Sequence, residues 1–465
     1  MGFFLSVLYL VTYFLTPAVL FGPLVEVHIE IVLAVLILLV SLPKIMRSSV
    51  LRTPQALALA GLAVAVFLSV LIGVGWPSGA INAFFGFIPS MFAYFLIGLH
   101  CNSVKKLKIL IVMLLFVCLF VIGHGMRDLR YAESLGAPSG SSSSQSVDYG
   151  ALLLDHPYIL PMTDDAGEWF FRIRGQGQIN DPNDFGQVLI CTIPLLFIFW
   201  RAKKRIRNLV FVILPSCALL YGIYLTHSRG ALVALIVVVV VASRRKIGTL
   251  PAAVIAAGLF AAAMALHFTG GRAVSVDAGA GREDLWAAGL QMLISHPLFG
   301  VGFGYFMQYA ENTAHNSIVV CAAELGLLGF YFWALFLLST ARNVLLIASP
   351  AKVAETESTE SGDDLLFFKV WKGPELDKGE TNHLGFCLLL SLTGFLAAGW
   401  FLSRAFVMTL FLLGGMIEAI YEEARRKGMV APRLTLSRNL TYSLPFMIGL
   451  LMLVYLMLRI SNLVR

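Results

Sequence analysis

The chain has 465 residues, 58% of them hydrophobic and 13% charged, and its 34 basic and 27 acidic side chains leave a formal net charge of +7. A soluble chain carries roughly 25% charged residues, and half that density, with a mean hydropathy of +0.83, cannot cover a 50.8 kDa body in water. Soluble enzymes, disordered scaffolds and disulfide-stapled secreted modules are excluded, and nucleic acid is not an expected partner. The expected fold is all-α: a polytopic integral membrane protein with about 12–13 transmembrane helices and two larger outer-face loops.

An apolar run of ~20 residues crosses the hydrocarbon of a bilayer. Such runs lie at about 3–21, 24–42, 56–75, 83–99, 107–125, 184–200, 208–226, 230–242, 249–267, 317–347, 384–402, 405–421 and 440–459. The first lacks a basic leader and a small-residue cleavage site, so it reads as span one rather than a signal peptide. The eighth is short, and the tenth is long enough to be a short surface helix entering a span near Gly326 and Gly329. The six cysteines (Cys101, Cys118, Cys191, Cys217, Cys321, Cys387) lie in or beside these runs, with no CxxC pair and no histidine at ligand spacing. Neither a disulfide nor zinc is expected.

Lys44, Arg47 and Arg52; Lys105, Lys106 and Lys108; Arg201, Lys203, Lys204, Arg205 and Arg207; and Arg244, Arg245 and Lys246 fall in alternate connections. By the positive-inside bias these connections are cytoplasmic, as is the amino terminus. The divisions expected are a bundle of about five helices over 1–125, a first large periplasmic loop over 126–183, and helices over 184–267 carrying Ser228-Arg229-Gly230. A second periplasmic loop follows over 268–316, then a transmembrane helix over 317–348, a cytoplasmic linker over 349–382 and terminal helices over 383–465. The stretch Gly136–Ser146 is low-complexity, and Glu355, Glu357, Glu360, Asp363 and Asp364 read as a solvated linker.

Function is therefore sought in the outer loops, where arginines oppose the topological bias: Arg172 and Arg174 ahead of Asp181-Pro182-Asn183-Asp184, Arg229, and Arg282 in Gly281-Arg282-Glu283-Asp284-Leu285-Trp286. Each alone is an interfacial anchor or a carboxylate partner. Together, at the mouths of spans, they present planar forks of donors that suit a pyrophosphate. Arg229 sits between two spans with Gly230 to relieve a tight turn, whereas neighbouring His227 reads as an interfacial side chain without a chemical role. Arg282 and Trp286, four apart, share one face of an amphipathic surface helix running to about Ser295. The Gly300-Val301-Gly302-Phe303-Gly304 run lacks the βαβ setting of a dinucleotide loop and reads as a tight turn. His315, in Ala314-His315-Asn316-Ser317 at a helix mouth, is a candidate general base, with a capping or hydrogen-bonded role as the alternative.

In this order, Asp181-Pro182-Asn183, Ser228-Arg229-Gly230, Gly281-Arg282 with Trp286, Pro297-Leu298-Phe299-Gly300-Val301-Gly302, His315-Asn316 and Glu324-Leu325-Gly326 resemble the O-antigen ligase and polymerase superfamily of bacterial envelope glycosyltransferases. The motifs span roughly 170–345, while a thirteenth span and the 349–382 insertion depart from the pattern. The resemblance implies a multi-pass protein of the bacterial inner membrane that takes a glycan from an undecaprenyl pyrophosphate carrier on the periplasmic side. The acceptor it implies is the lipid A core, a growing polysaccharide or exopolysaccharide, or, in related oligosaccharyltransferases, a protein side chain. Carried over by resemblance, Arg229, Arg282 and His315 are catalytic, and Arg172 or Arg174, Asn183, Asn316 and Trp286 bind substrate. No cofactor and no metal are expected, because two guanidinium groups can take the part of a divalent ion. A lipid-linked oligosaccharide transporter or flippase is the alternative, but it would place charges near the midplane along a path, where these spans are nearly free of them. A cell-wall polymerase of another family would need an outer acid, for which Asp184 and Glu283 are the candidates.

Overall fold

The computed structural model describes residues 1–17, 29–46, 48–134, 149–163, 167, 169–265, 268, 277–349 and 378–464. Glu26, Arg47, the Gly136–Ser146 stretch, Asp164-Asp165 and the acidic run from Glu355 to Asp364 lie outside them. Among the described residues the chain forms α1 (Gly2–Leu15), α2 (Ile29–Ile45), α3 (Pro54–Leu68), α4 (Pro77–His100), α5 (Val104–Ser134) and α6 (Tyr149–Asp155). A two-stranded hairpin follows, β1 (Ile159–Thr163) antiparallel to β2 (Trp169–Ile173), with Leu160 opposite Arg172. Then come α7 (Pro182–Leu196), α8 (Arg205–Thr226, with a π-type turn over Leu209–Ile213), α9 (Arg229–Ile247), α10 (Thr249–Ala265) and α11 (Asp277–Ser295). The last four are α12 (Ser317–Ala348), α13 (Lys378–Gly399), α14 (Met408–Arg426) and α15 (Leu436–Val464).

Each of the thirteen apolar runs is met by one helix, and α6 and α11 fall in the two long connections. Eight of the described helices are long and apolar enough to cross a membrane. Large apolar side chains, among them Leu39 on α2, Phe85 on α4, Phe116 on α5 and Ile448 on α15, stand exposed around the bundle. In water such a belt would drive aggregation, whereas hydrocarbon accepts it. The protein is a multi-pass, all-α membrane protein whose only described strands are the hairpin.

Several boundaries differ from the sequence-based expectation, for local physical reasons. The helix of the eighth run outlasts its short apolar stretch: α9 extends to Ile247, because Arg244, Arg245 and Lys246 sit well in a last helical turn, beside the negative end of the dipole. Helix α5 runs past residue 125 to Ser134, where the buried Asp128 carboxylate accepts the Tyr158 N–H at 3.2 Å and faces His156 Nδ1 at 3.2 Å, pinning the hairpin to the helix. The surface helix α11 begins at Asp277, before Arg282.

The longest helix, α12, is broken rather than merely bent. Gly326 takes φ +63 and ψ −169, a combination almost confined to glycine, and the break frees backbone groups inside the bundle. The 297–302 turn repairs it. Leu327 and Leu328 N–H donate to the carbonyls of Pro297 and Leu298 at 2.8 and 3.2 Å, while Val301 and Gly302 N–H donate to those of Ala323 and Glu324 at 2.9 and 3.1 Å. The Gly-rich run is thus a backbone plug, tighter than the free turn expected of it. Phe303 N–H also reaches Ser69 Oγ at 3.1 Å, where α3 passes into a π-type turn.

A Cβ at Gly326 would lie 2.5 Å from the Leu298 carbonyl carbon, on top of the left-handed backbone penalty. Gly326→Ala is expected to cost at least about 1–3 kcal/mol, seen as a lowered melting temperature in detergent; an unchanged melting curve would remove the plug from this account.

Candidate functional site

Three of the motif segments do the same local job: they start helices. Asp181 caps α7, accepting from Asn183 N–H at 2.7 Å with Pro182 in the first turn. Ser228 caps α9 through Ala231 N–H at 3.2 Å, and Asn316 caps α12 through Ile318 and Val319 N–H at 2.9 and 3.2 Å. Short polar side chains suit this position because they satisfy amide groups that the helix itself cannot. Each start also presents the positive end of a helix dipole.

The caps are laced to one another. Asn183 Oδ1 accepts both Ser228 Oγ at 2.7 Å and Arg172 Nη2 at 3.0 Å, and Arg172 Nε donates to the Thr226 carbonyl at 2.7 Å. Arg172, from β2, is only 3% exposed, so its charge braces the starts of α7 and α9 from the hairpin side. Arg174 points elsewhere, with Nε on the Pro157 carbonyl at 3.0 Å and Nη1 near that of Asn180 at 3.5 Å. Burial lowers its pKa, partly offset by Asp181. The two arginines that the sequence left unresolved are therefore distinguished by place: Arg172 adjoins the α7–α9 cap, and Arg174 secures the approach to it.

Arg229 and Arg282 lie within electrostatic reach of each other, and so do Arg282 and His315, although Arg229 and His315 stand 86 positions apart in the chain. Burial and then the Arg229 charge lower the Arg282 pKa. Burial and then the Arg282 charge lower that of His315, against a smaller raising effect from Asp181. The physical cause is shared: guanidinium groups gathered at one mouth raise the cost of any further positive charge. The His315 backbone is left-handed, with φ 49, which is rare for a residue with a Cβ. The cap that follows it is Asn316, so the capping role weighed for His315 belongs to its neighbour.

Other expectations are modified. The left-handed residue of the α8–α9 turn is His227 (φ 45), not Gly230, which is helical and whose missing Cβ leaves room for Phe401. The His227 ring is held by the Phe268 carbonyl at 3.0 Å and by Phe170 edge-on. Trp286 Nε1 donates to the Ala314 carbonyl at 2.9 Å, which ties α11 to the segment bearing His315. Asp184 is buried and ion-paired with Arg404. Glu324 is buried and accepts Phe306 N–H at 3.4 Å. Among the described residues no three His, Cys, Asp or Glu side chains gather as a metal site requires.

The sequence reading missed the α13–α14 connection. Trp400 meets Trp286 edge-on at 5.6 Å, the Phe401 ring lies 5.8 Å from the Arg282 guanidinium, and the Trp400 carbonyl accepts Asn316 Nδ2 at 3.3 Å. The available signal was Arg404, one more arginine in a connection that the charge census puts on the outer side.

Arg172→Ala, which orphans the Thr226 carbonyl and one bond to Asn183, is expected to destabilise the protein by about 2–5 kcal/mol. Arg174→Ala should cost clearly less. Equal melting temperatures for the two variants would contradict the bracing role of Arg172.

No curated protein matches the chain. Residues 214–334, from the second half of α8 to the middle of α12, match the family model described as O-antigen ligase. That stretch holds Arg229, Arg282, Trp286, His315 and Asn316 and excludes Arg172, Arg174, Asn183 and Arg404. Over that stretch, about a quarter of its length, the chain is similar to the O-antigen ligase family.

Proposed function

We propose that this protein is a membrane glycosyltransferase of the O-antigen ligase or polymerase type, acting on the periplasmic face of the bacterial inner membrane. Its donor in this reading is a glycan on undecaprenyl pyrophosphate, and its acceptor a hydroxyl of the lipid A core, of a growing polysaccharide or of an exopolysaccharide. The observation that supports the reading is that Arg229 acts electrostatically on Arg282, and Arg282 in turn on His315, whose pKa burial and then Arg282 depress.

The chemistry follows from charge. Like charges about 8 Å apart repel by about 2 kcal/mol at an effective dielectric near 20, so a paired-arginine mouth favours an anion and most of all one whose charge grows. When the bond between the anomeric carbon and the pyrophosphate oxygen breaks, the electron pair leaves with the pyrophosphate, which Arg229 and Arg282 hold beside the positive ends of the helix dipoles. The acceptor oxygen forms the new bond to the same carbon as its proton passes to His315. His315 can take that proton because its neighbours keep it neutral. One displacement inverts the anomeric centre, and pyrophosphate leaves without the paired carboxylates of a glycosidase.

Transfer from purified undecaprenyl pyrophosphate glycan in detergent with EDTA tests this, with lipid A core and unprimed donor as alternative acceptors. Arg229→Ala and Arg282→Ala should each lose about 10²–10³ in rate, with poor rescue by lysine, which lacks the planar fork. Donor binding without turnover, equally intact in both variants and in His315→Ala, would instead identify a carrier or transporter.

The acid limb of the kcat/KM profile, which reports the free enzyme, should fall below about 6.5, the ordinary histidine value, since activity is lost when His315 protonates. Arg282→Gln removes a charge that opposes protonation and should move that limb upward. An acid limb unmoved by this change would detach His315 from the titration.

A further inference from the structure

The site has a wall that neither the motifs nor the matched domain includes: the α13–α14 connection, residues 400–404. Its contacts reach the segments bearing each proposed reacting group, with Trp400 on Trp286 and the Asn316 side chain, Phe401 against Arg282 and the open side of Gly230, and Leu402 accepting Ser317 Oγ at 2.7 Å. A short connection with two aromatic side chains does not hold such a course by itself. Thr313 Oγ1 donates to Ser403 Oγ at 2.5 Å and Trp333 Nε1 to the Ala405 carbonyl at 2.9 Å, and the charged tie lies at Arg404. Arg404 N–H donates to the Ser317 Oγ at 3.1 Å, and its guanidinium grips Asp184 in the first turn of α7, Nε to Oδ1 at 2.6 Å and Nη2 to Oδ2. This is the side-on fork that an arginine makes with a carboxylate and a lysine does not. The Asp184 side chain is 5% exposed and that of Arg404 37%, so the pair is anchored in the bundle and opens toward the mouth.

We infer that Arg404, clamped by Asp184, is a positioning residue for glycosyl transfer: it holds residues 400–404 across the mouth so that Phe401 and Trp400 fix the attitudes of Arg282 and Trp286. The inference rests on the glycosyl-transfer reading for its catalytic consequence but not for its structural one. Arg404 acts through the wall, with Asp184 as its partner rather than the pyrophosphate. Because the two groups work as a unit, removing either should do what removing both does. A direct phosphate ligand would behave oppositely, since freeing it from Asp184 would leave it available to the anion.

The test is a double-mutant cycle on the full-length protein in detergent, with Arg404→Ala, Asp184→Asn and the two combined. The combination also removes the lone buried charge that could keep Arg404→Ala from folding. Each of the three is expected to lose about 10²-fold in kcat with donor KM held within about threefold, the double being no worse than the singles. Amide hydrogen exchange over residues 400–406 should rise in all three. Asp184→Asn at wild-type rate beside an inactive, folded Arg404→Ala would overturn the inference, making Arg404 a direct ligand, as would unchanged turnover in every variant. If the wild type itself transfers to no acceptor, the glycosyltransferase reading fails. Hydrogen exchange then decides the clamp alone, and unaltered protection of 400–406 in the variants would reject it.

Discussion

Inside a bilayer, a backbone group that loses its helical partner must find another in the protein, because no water is there to supply one. The break at Gly326 is where this chain meets that demand, and the 297–302 turn answers it with four backbone hydrogen bonds. Much of the site depends on the repair. It sets the entry of the first part of α12, whose cap Asn316 follows His315. It also returns the chain from α11, so that Arg282 and Trp286 stand over the same mouth. A glycine is needed on each side of the contact: a Cβ at Gly300 would fall 2.4 Å from the Glu324 carbonyl carbon, as one at Gly326 would strike Leu298. The run that superficially spells a nucleotide loop is occupied with backbone, not phosphate.

On that frame the mouth is built from things that proteins usually keep apart. Three helices begin there, each capped by a short polar side chain, and arginines stand beside them. Arg172 spends its donors on Asn183 and the Thr226 carbonyl, and Arg404 on Asp184. Burial and the charge of Arg229 together depress the Arg282 pKa. His315 adds a left-handed backbone to this group. Strain and like-charge crowding persist only where the surroundings over-determine them, and here the caps, the plug and the 400–404 wall do so.

Much of this was legible beforehand, for reasons tied to particular residues. Arg229 and Arg282 stood out because several arginines together oppose the topological bias, although each alone has an ordinary explanation, and His315 because it stands at a helix mouth. The kink near Gly326 was legible because a helix of that length with paired glycines rarely stays straight. Arg404 and Phe401 were not legible. Asp184 and Arg404 are 220 positions apart, and the pair exists only because α7, α12 and α13 pack together. Nor could residue order tell Arg172 from Arg174: positions two apart on a strand share a face, and the two part only because β2 ends at Ile173, leaving Arg172 in the hairpin and Arg174 beyond it.

The sequence by itself determined the solvent of this protein, the number of its apolar runs and the helix starts, because hydropathy, charge and capping act over a few neighbouring residues. Only the tertiary structure decided which arginine braces the helix starts, which residue caps α12, and that a distant connection packs against the segments bearing Arg282 and Asn316. Those outcomes depend on the direction of side chains from separate helices at one point in space, and local spacing carries no information about that meeting.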